Sequence, residues 1–284
     1  MKDNYSMLPD DATGEIKVTL TNDMMFHCAM QRSKTALKAL VCAVKGLDPD
    51  DVDDVILLNT IDYSEYSDKE IILDTRILLK DSTIMNIELQ MYSQTFWKKR
   101  SVLYLCRSYD TLNGGDDYSQ LKETIQVCIT DQEFFKDQKK EFFAKFQLLN
   151  TRYHYPYSTI LSLYVLNLNH TELATEEDIR NGLVHWARIF TAKTWEEIRT
   201  IATEYQAAEE VATVMYAVNK DVSERTYFEA HRKYIESKVT TENALARAKE
   251  ELAKKDQQLV EKDKTIESLQ QQIKELKSKS ILNL

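Results

Sequence analysis

The stretch Glu70-Ile71-Ile72-Leu73-Asp74-Thr75-Arg76-Ile77-Leu78-Leu79-Lys80-Asp81-Ser82-Thr83-Ile84-Met85-Asn86-Ile87-Glu88-Leu89-Gln90 decides the fold. Two apolar runs with β-branched residues flank a polar break at residues 80–83, which is the pattern of a β-hairpin. Side chains alternate across a strand, so Ile84, Asn86, Glu88 and Gln90 share one face and Met85, Ile87 and Leu89 the other. On the first strand Asp74 lies among Ile71, Ile72, Leu73, Ile77, Leu78 and Leu79. A carboxylate in that company costs free energy unless a cation or hydrogen-bond donors compensate it.

Upstream of the hairpin, Asn22 or Thr21 caps a helix in which Met25, Phe26, Ala29, Met30, Leu37, Leu40, Val41 and Val44 recur at helical spacing. Gly46 and Pro49 stop it. Residues 52–59 read as a strand, followed by a tyrosine-rich polar turn over residues 62–68. Downstream the period returns to helical through Phe96, Trp97, Val102, Leu103, Leu105 and Cys106, and Gly114-Gly115 ends that helix. Residues 124–129, 141–149 and 158–168 are strand candidates. The order helix, strand, hairpin, helix, strand describes an α/β sandwich with its sheet covered by helices. From about Glu172 no strand pattern remains, and residues 176–190, 195–205 and 208–219 read as amphipathic helices over one side of the sheet. Residues 1–19 show no period and form a lead-in.

Composition narrows the functional classes. With 43% hydrophobic residues, 5 Gly and 3 Pro in 284 residues, the chain is globular and rich in regular structure. No run approaches the roughly 18 apolar residues of a membrane helix, and Met1-Lys2-Asp3-Asn4-Tyr5 lacks the apolar core of a signal peptide, so the chain is read as cytoplasmic. Cys28, Cys42, Cys106 and Cys128 are scattered without a C-x-x-C, which indicates neither a zinc knuckle nor a disulfide framework. The five histidines show no metal-site spacing beyond the adjacent His27 and Cys28, and there is no P-loop, G-x-S-x-G or G-x-G-x-x-G. The net charge of -9 argues against non-specific coating of nucleic acid, though not against a local basic patch.

The tail from about Ser223 is a single long helix. Leu245, Leu252, Leu259, Ile266 and Ile273 recur every seven residues, with Ala248, Leu269 and Leu276 three positions after members of that series and Lys255 and Lys262 interrupting the second seam. The pattern indicates a coiled coil that dimerises the chain. A solvated helix laced with Glu/Lys pairs is the competing reading.

Asp74 and Glu88-x-Gln90 are the candidate chemistry. Hard cations such as Mg²⁺ take oxygen ligands, and two carboxylates with the backbone carbonyl of Leu89 supply about three of roughly six. Gln90, on the face of Glu88, can orient an attacking water. Surface carboxylates on an edge strand are the plainer alternative. Lys98, Lys99, Arg100 and Arg107 follow on the next helix, where they either meet DNA phosphates or form a solvated face. Lys136, Lys139, Lys140 and Lys145 share that ambiguity, and Tyr63, Tyr66, Tyr92 and Tyr118 are candidates to stack on bases.

At these residues the chain resembles the Rpn family, the bacterial recombination-promoting nucleases also catalogued as transposases of the PD-(D/E)XK superfamily. The carriers are Thr21-Asn22-Asp23-Met24-Met25-Phe26, Asp74, Ile87-Glu88-Leu89-Gln90-Met91, the Arg100 to Tyr104 spacing, and Gly115-Asp116-Asp117-Tyr118. The resemblance runs from about Leu20 to Ser237. It implies a restriction-endonuclease-like core over residues 20–170, which the amphipathic pattern follows with a helical extension over 171–238 and the heptad pattern with the coiled-coil tail over 239–284. It also implies DNA as substrate, phosphodiester hydrolysis, and Mg²⁺, Mn²⁺ or Ca²⁺ as cofactor. By the same resemblance Asp74 and Glu88 bind the metal, Gln90 replaces the motif's lysine, and Asp23 is an additional acid near the metal, with helix capping as its other reading. Gln90 brings no positive charge, so a nuclease-derived DNA- or protein-binding module in mobile-element control or defence stands as the alternative function.

Overall fold

In the computed structural model, which describes residues 8–52, 54–58 and 75–282, capping chemistry sets the first helices. Helix α1 (Asp23–Arg32) starts where the Asn22 side chain accepts the Met25 N–H at 3.1 Å. The sequence period runs on to Gly46, yet the structure breaks at Ser33. That residue donates its N–H to the Ala29 carbonyl at 3.0 Å, and its Oγ accepts the Ala36 N–H at 3.1 Å to open α2 (Lys34–Lys45). Its hydroxyl also donates to Glu210 at 3.1 Å, a partner that no local period reveals. Gly46 closes α2 at φ 70°, and a Cβ there would stand 2.9 Å from Asn181 Nδ2, so position 46 favours glycine on two counts.

The strands β1 (Val55–Leu57), β2 (Thr75–Leu79), β3 (Ile84–Gln90), β4 (Thr124–Thr130), β5 (Phe143–Leu149) and β6 (Pro156–Asn167) form one mixed sheet in the order β1-β2-β3-β4-β6-β5. β2 and β3 are antiparallel, with Thr75 opposite Ile87 and Ile77 opposite Met85; residues 70–74 of the expected hairpin lie outside the described residues. β3, β4 and β6 run parallel. A parallel pair needs a crossover, and helix α3 (Trp97–Tyr109) supplies it between β3 and β4.

The sheet's two faces differ. Met85, Ile87, Ile125, Val127 and Ile129 point into the main apolar core, which they share with Met25, Phe26, Leu37, Leu40 and Val41 of α1 and α2. The face beneath α3 has a smaller apolar cluster of Trp97, Cys128, Ala144 and Val165.

Beyond β6 the chain is helical: α4 (Glu176–Arg180), α5 (Leu183–Thr191), α6 (Trp195–Glu204) and α7 (Gln206–Lys220). The helix read across residues 176–190 is two, divided by Gly182 at φ 80°. α7 packs against α1, α2 and α6, so the extension reaches the main core largely through α1 and α2 rather than by lying directly on the sheet. It also orders the segment before α1. Asn219 clamps Val18, with Oδ1 accepting from its N–H at 2.9 Å and Nδ2 donating to its carbonyl at 3.0 Å. Arg199 donates to the Pro9 and Ala12 carbonyls at 3.0 and 2.7 Å.

Helix α8 (Val222–Leu282) is unbroken. The chain divides into two compact units, Met1–Ile235 and Glu236–Leu284. In the second, the heptad residues Leu245, Leu252, Leu259, Ile266 and Ile273 are all exposed within the single chain, and Lys254 and Lys255 pair with Glu250 and Glu251 one turn earlier. Among the described residues no helix is long and apolar enough to cross a membrane.

Candidate active site

Alternation along β3 and β4 builds a polar patch beneath α3. In register across the sheet, Arg76, Asn86 and Gln126 form one row, Glu88 and Cys128 the next, and Gln90, Thr130 and Asn167 the last. Gln90, Thr130 and Asn167 end their strands, so the patch lies at the carboxyl end of the parallel part of the sheet, where open α/β sheets place ligands. Asn86, Glu88, Gln90, Gln126 and Thr130 are all buried. Asn86 Nδ2 donates to Gln126 Oε1 at 2.9 Å, and Thr130 Oγ1 donates to the Gln90 carbonyl at 2.7 Å.

Glu88 and Gln90 share this face, as their spacing predicts, and Arg100 of α3 joins them. Arg100 Nη2 donates to Glu88 Oε1 and, at 2.6 Å, to Gln90 Oε1. Gln90 Nε2 in turn donates to the Tyr92 carbonyl at 2.5 Å, so both ends of the amide are engaged. The Arg100 to Tyr104 spacing has a local meaning: one turn on, the Tyr104 ring lies 5.5 Å from the guanidinium carbon and flanks it. Trp97 and Ser101 bury the face of α3 that turns Arg100 inward, and the Trp97 ring stacks on Phe134 with centroids 4.0 Å apart. Side-chain exposure of 8% for Glu88 against 29% for Arg100 makes this a carboxylate in the interior held by a cation at its rim.

The four basic residues of α3 therefore divide. Lys98, Lys99 and Arg107 face solvent, with Lys98 Nζ 4.5 Å from the Phe135 ring centre, whereas Arg100 turns onto Glu88. Of the second basic stretch, Lys145 lies away from this patch, over the Phe143 and Tyr164 rings. Tyr118 is 83% exposed; Tyr63 and Tyr66 lie outside the described residues.

Asp74 also lies outside the described residues; it directly precedes Thr75, the first residue of β2. Asp23 occupies the first turn of α1, half-buried, and the capping reading passes to its neighbour Asn22. The buried residues of α1 join the core on the sheet face opposite Glu88. Leu89 packs at the edge of that same core, its side chain turned from Glu88 as alternation requires. Arg76 and Gln126 escape the sequence reading, which places Asn86 on the Glu88 face without its partner. Their signal is polar residues at the Glu88 phase of two apolar strands.

Among the described residues no three His, Cys, Asp or Glu side chains gather to hold a metal ion. The donor chemistry present nevertheless suits a hard cation. Cys128 stands beside Glu88 in the next strand, but burial first, and the Glu88 charge second, push its thiol well above its ordinary range. It stays protonated and offers no thiolate, which leaves oxygen donors. The Arg100 contact shows that the Glu88 position draws positive charge.

A family model described as PD-(D/E)XK nuclease family transposase matches residues 21–244. No curated protein and no solved structure matches the chain.

Proposed function

The chain belongs to the PD-(D/E)XK nuclease family transposases, and from that membership we propose that it is a divalent-metal-dependent DNA endonuclease. Membership supports a nuclease- or transposase-like function. The observation that carries it is the buried Glu88 carboxylate at the carboxyl end of β3, facing a cation rather than the apolar core. Burying an ion is expensive, and a chain that needed only stability would place an apolar residue there.

Asp74, Glu88 and the Leu89 carbonyl would hold Mg²⁺, Mn²⁺ or Ca²⁺, with Asp23 a further acid in reserve. Continued one pair beyond Thr75–Ile87, the β2–β3 register would set Asp74 opposite Glu88. A divalent ion at such a site polarises a phosphodiester oxygen and lowers the pKa of bound water. The chain's own residues do the rest. Glu88 anchors the charge, the dry sheet behind it excludes bulk water, and Gln90 with Arg100 fixes what stands in front of the carboxylate. Lys98, Lys99 and Arg107 face solvent on the same helix and are the proposed DNA phosphate contacts. The exposed heptad series of α8 is proposed to pair with a second copy of the chain, giving two sites for two strands. Its check is the molecular mass by light scattering at micromolar protein, and a monomer would remove it.

One observation favours a second reading. Arg100 already neutralises Glu88, and both polar ends of Gln90 are engaged, as in a module that binds DNA or protein without turnover. Supercoiled plasmid separates the two. Nicking or linearisation with Mg²⁺ or Mn²⁺ that chelator abolishes, and that Asp74→Asn and Glu88→Gln both lack, is expected of the endonuclease. No cleavage with any metal, or equal cleavage by the variants, hands the function to the binding module.

A further inference from the structure

We infer that Gln90 and Arg100 work as one unit, in which Gln90 is a positioning residue and Arg100 supplies the active-site positive charge that position 90 itself lacks. The inference rests on the endonuclease reading and deepens it. Cleaving a phosphodiester builds negative charge on the phosphoryl oxygens, and a fixed cation in a water-poor site stabilises that charge strongly. A neutral amide at position 90 cannot do so. The structure shows what the amide does instead.

The Gln90 amide is held between the Tyr92 carbonyl, to which Nε2 donates at 2.5 Å, and Arg100, from which Oε1 accepts at 2.6 Å. One hydrogen bond at each end fixes the amide in place and leaves a single N–H for the water-orienting role expected from sequence. What the amide fixes is the direction of the guanidinium. A single nitrogen, Nη2, bridges Gln90 to Glu88, and the Tyr104 ring flanks the guanidinium from one turn along α3. Arginine presents five N–H donors in a planar fork. Nη2 spends two contacts on the protein, and 29% of the Arg100 side chain stays exposed beside Glu88, where a phosphate held by a cation on that carboxylate would lie. Arg100 forms no covalent bond to the substrate and transfers no proton; its contribution is a positioned charge.

This arrangement also sets Arg100 against a divalent ion, because both draw on the Glu88 carboxylate. Two consequences follow that a plain DNA-backbone contact does not share. Loss of the guanidinium slows the chemical step rather than loosening DNA, and it tightens metal binding rather than weakening it.

The test uses the full chain as wild type, Arg100→Gln, Arg100→Lys and the double variant Gln90→Lys/Arg100→Gln. Single-turnover nicking of plasmid at saturating protein with Mn²⁺ is read beside plasmid binding in Ca²⁺ and Mn²⁺ binding by calorimetry. For Arg100→Gln a rate loss of about 100-fold or more is expected, the size seen on removing one preorganised donor from a developing oxyanion. Plasmid affinity should stay within about two-fold, since one exposed phosphate contact among several weighs little, and Mn²⁺ should bind more tightly. Arg100→Lys should recover part of the rate. Gln90→Lys should restore activity to Arg100→Gln by placing an ammonium where the pair now places a guanidinium.

An unchanged rate in Arg100→Gln, or a loss confined to plasmid affinity, overturns the inference while leaving the endonuclease reading intact. Weaker Mn²⁺ binding with a lowered melting point also overturns it, in favour of a structural role. If Arg100→Gln does not fold, the double variant decides: folded and active supports the unit, folded and inactive overturns it. If the wild type cuts nothing, the endonuclease reading fails and the catalytic role of Arg100 with it, while calorimetry alone then judges whether Arg100 and metal compete for Glu88.

Discussion

The two faces of the sheet are made from the same strands by the same alternation, yet their contents could hardly be less alike. One face gives Met85, Ile87, Ile125, Val127 and Ile129 to a dry core that α1 and α2 complete. The other buries Asn86, Glu88, Gln90, Gln126 and Thr130 beneath α3 and holds them with Arg100. Both are shielded from water, so burial alone does not explain the difference. Apolar burial at about 25 cal/mol per Å² stabilises the first face. On the second, hydrogen bonds and one ion pair recover part of the desolvation cost and seldom more. The contrast teaches that the α3 face is built for something other than stability, and that α3 is there to aim a cation as well as to cross over between strands.

The comparison can be broken or sharpened by experiment. The largest stability loss is expected on the dry face: Ile87→Ala should cost about 2–5 kcal/mol in urea denaturation, the range for emptying a packed aliphatic site. The polar face should respond in the opposite sense. Replacing its ion pair with apolar groups of similar size, Glu88→Leu with Arg100→Met, should leave stability unchanged or raise it by up to about 2 kcal/mol, discounted because Arg100 is partly solvated. A loss as large as that of Ile87→Ala would make the pair a structural element and erase the contrast. Smaller still is the paired change Asn86→Leu/Gln126→Leu, expected within about 1 kcal/mol of wild type because both partners of one hydrogen bond leave together.

The smallest effect concerns the buried thiols behind each face. Burial pushes Cys28, in the dry core, up to about 12, and pushes Cys128 well up beside Glu88. A raised folded-state pKa means a stability contribution fully present below the ordinary thiol value and lost as pH climbs from about 9 toward the folded value. Stability measured at pH 8 and pH 10 should therefore fall, and Cys28→Ala and Cys128→Ala should each flatten the fall. An aromatic disulfide reagent at pH 8 should label exposed Cys106 and spare both buried thiols. Rapid labelling of Cys128 would show that the α3 face admits water.

How much of this was legible in the sequence varies by element. The β2–β3 turn, α3, β4 and β6 follow from period and punctuation, and the shared face of Glu88 and Gln90 follows from alternation alone. The break at Ser33 did not, because a serine fits a helical period until Glu210, far along the chain, engages its hydroxyl. The segment before α1 looked periodless because its partners are Lys193, Glu196, Arg199 and Asn219 rather than its own neighbours. In the sequence Arg100 reads with Lys98, Lys99 and Arg107 as one basic run. What separates it is that Trp97 and Ser101 bury one side of α3 and Tyr104 follows at one turn, so position 100 falls on the rim and not on the solvent face. Asp74, half of the expected metal site, lies outside the described residues.

The measurement that bears most directly on the α3 face as a cation site is Mn²⁺ titration of the full chain by calorimetry, wild type beside Glu88→Gln, each checked for cooperative unfolding. Binding by the wild type that the folded Glu88→Gln protein has lost is the expected result. Equal binding by both, or none by the wild type, would contradict it and leave Glu88 and Arg100 as an ion pair inside the fold.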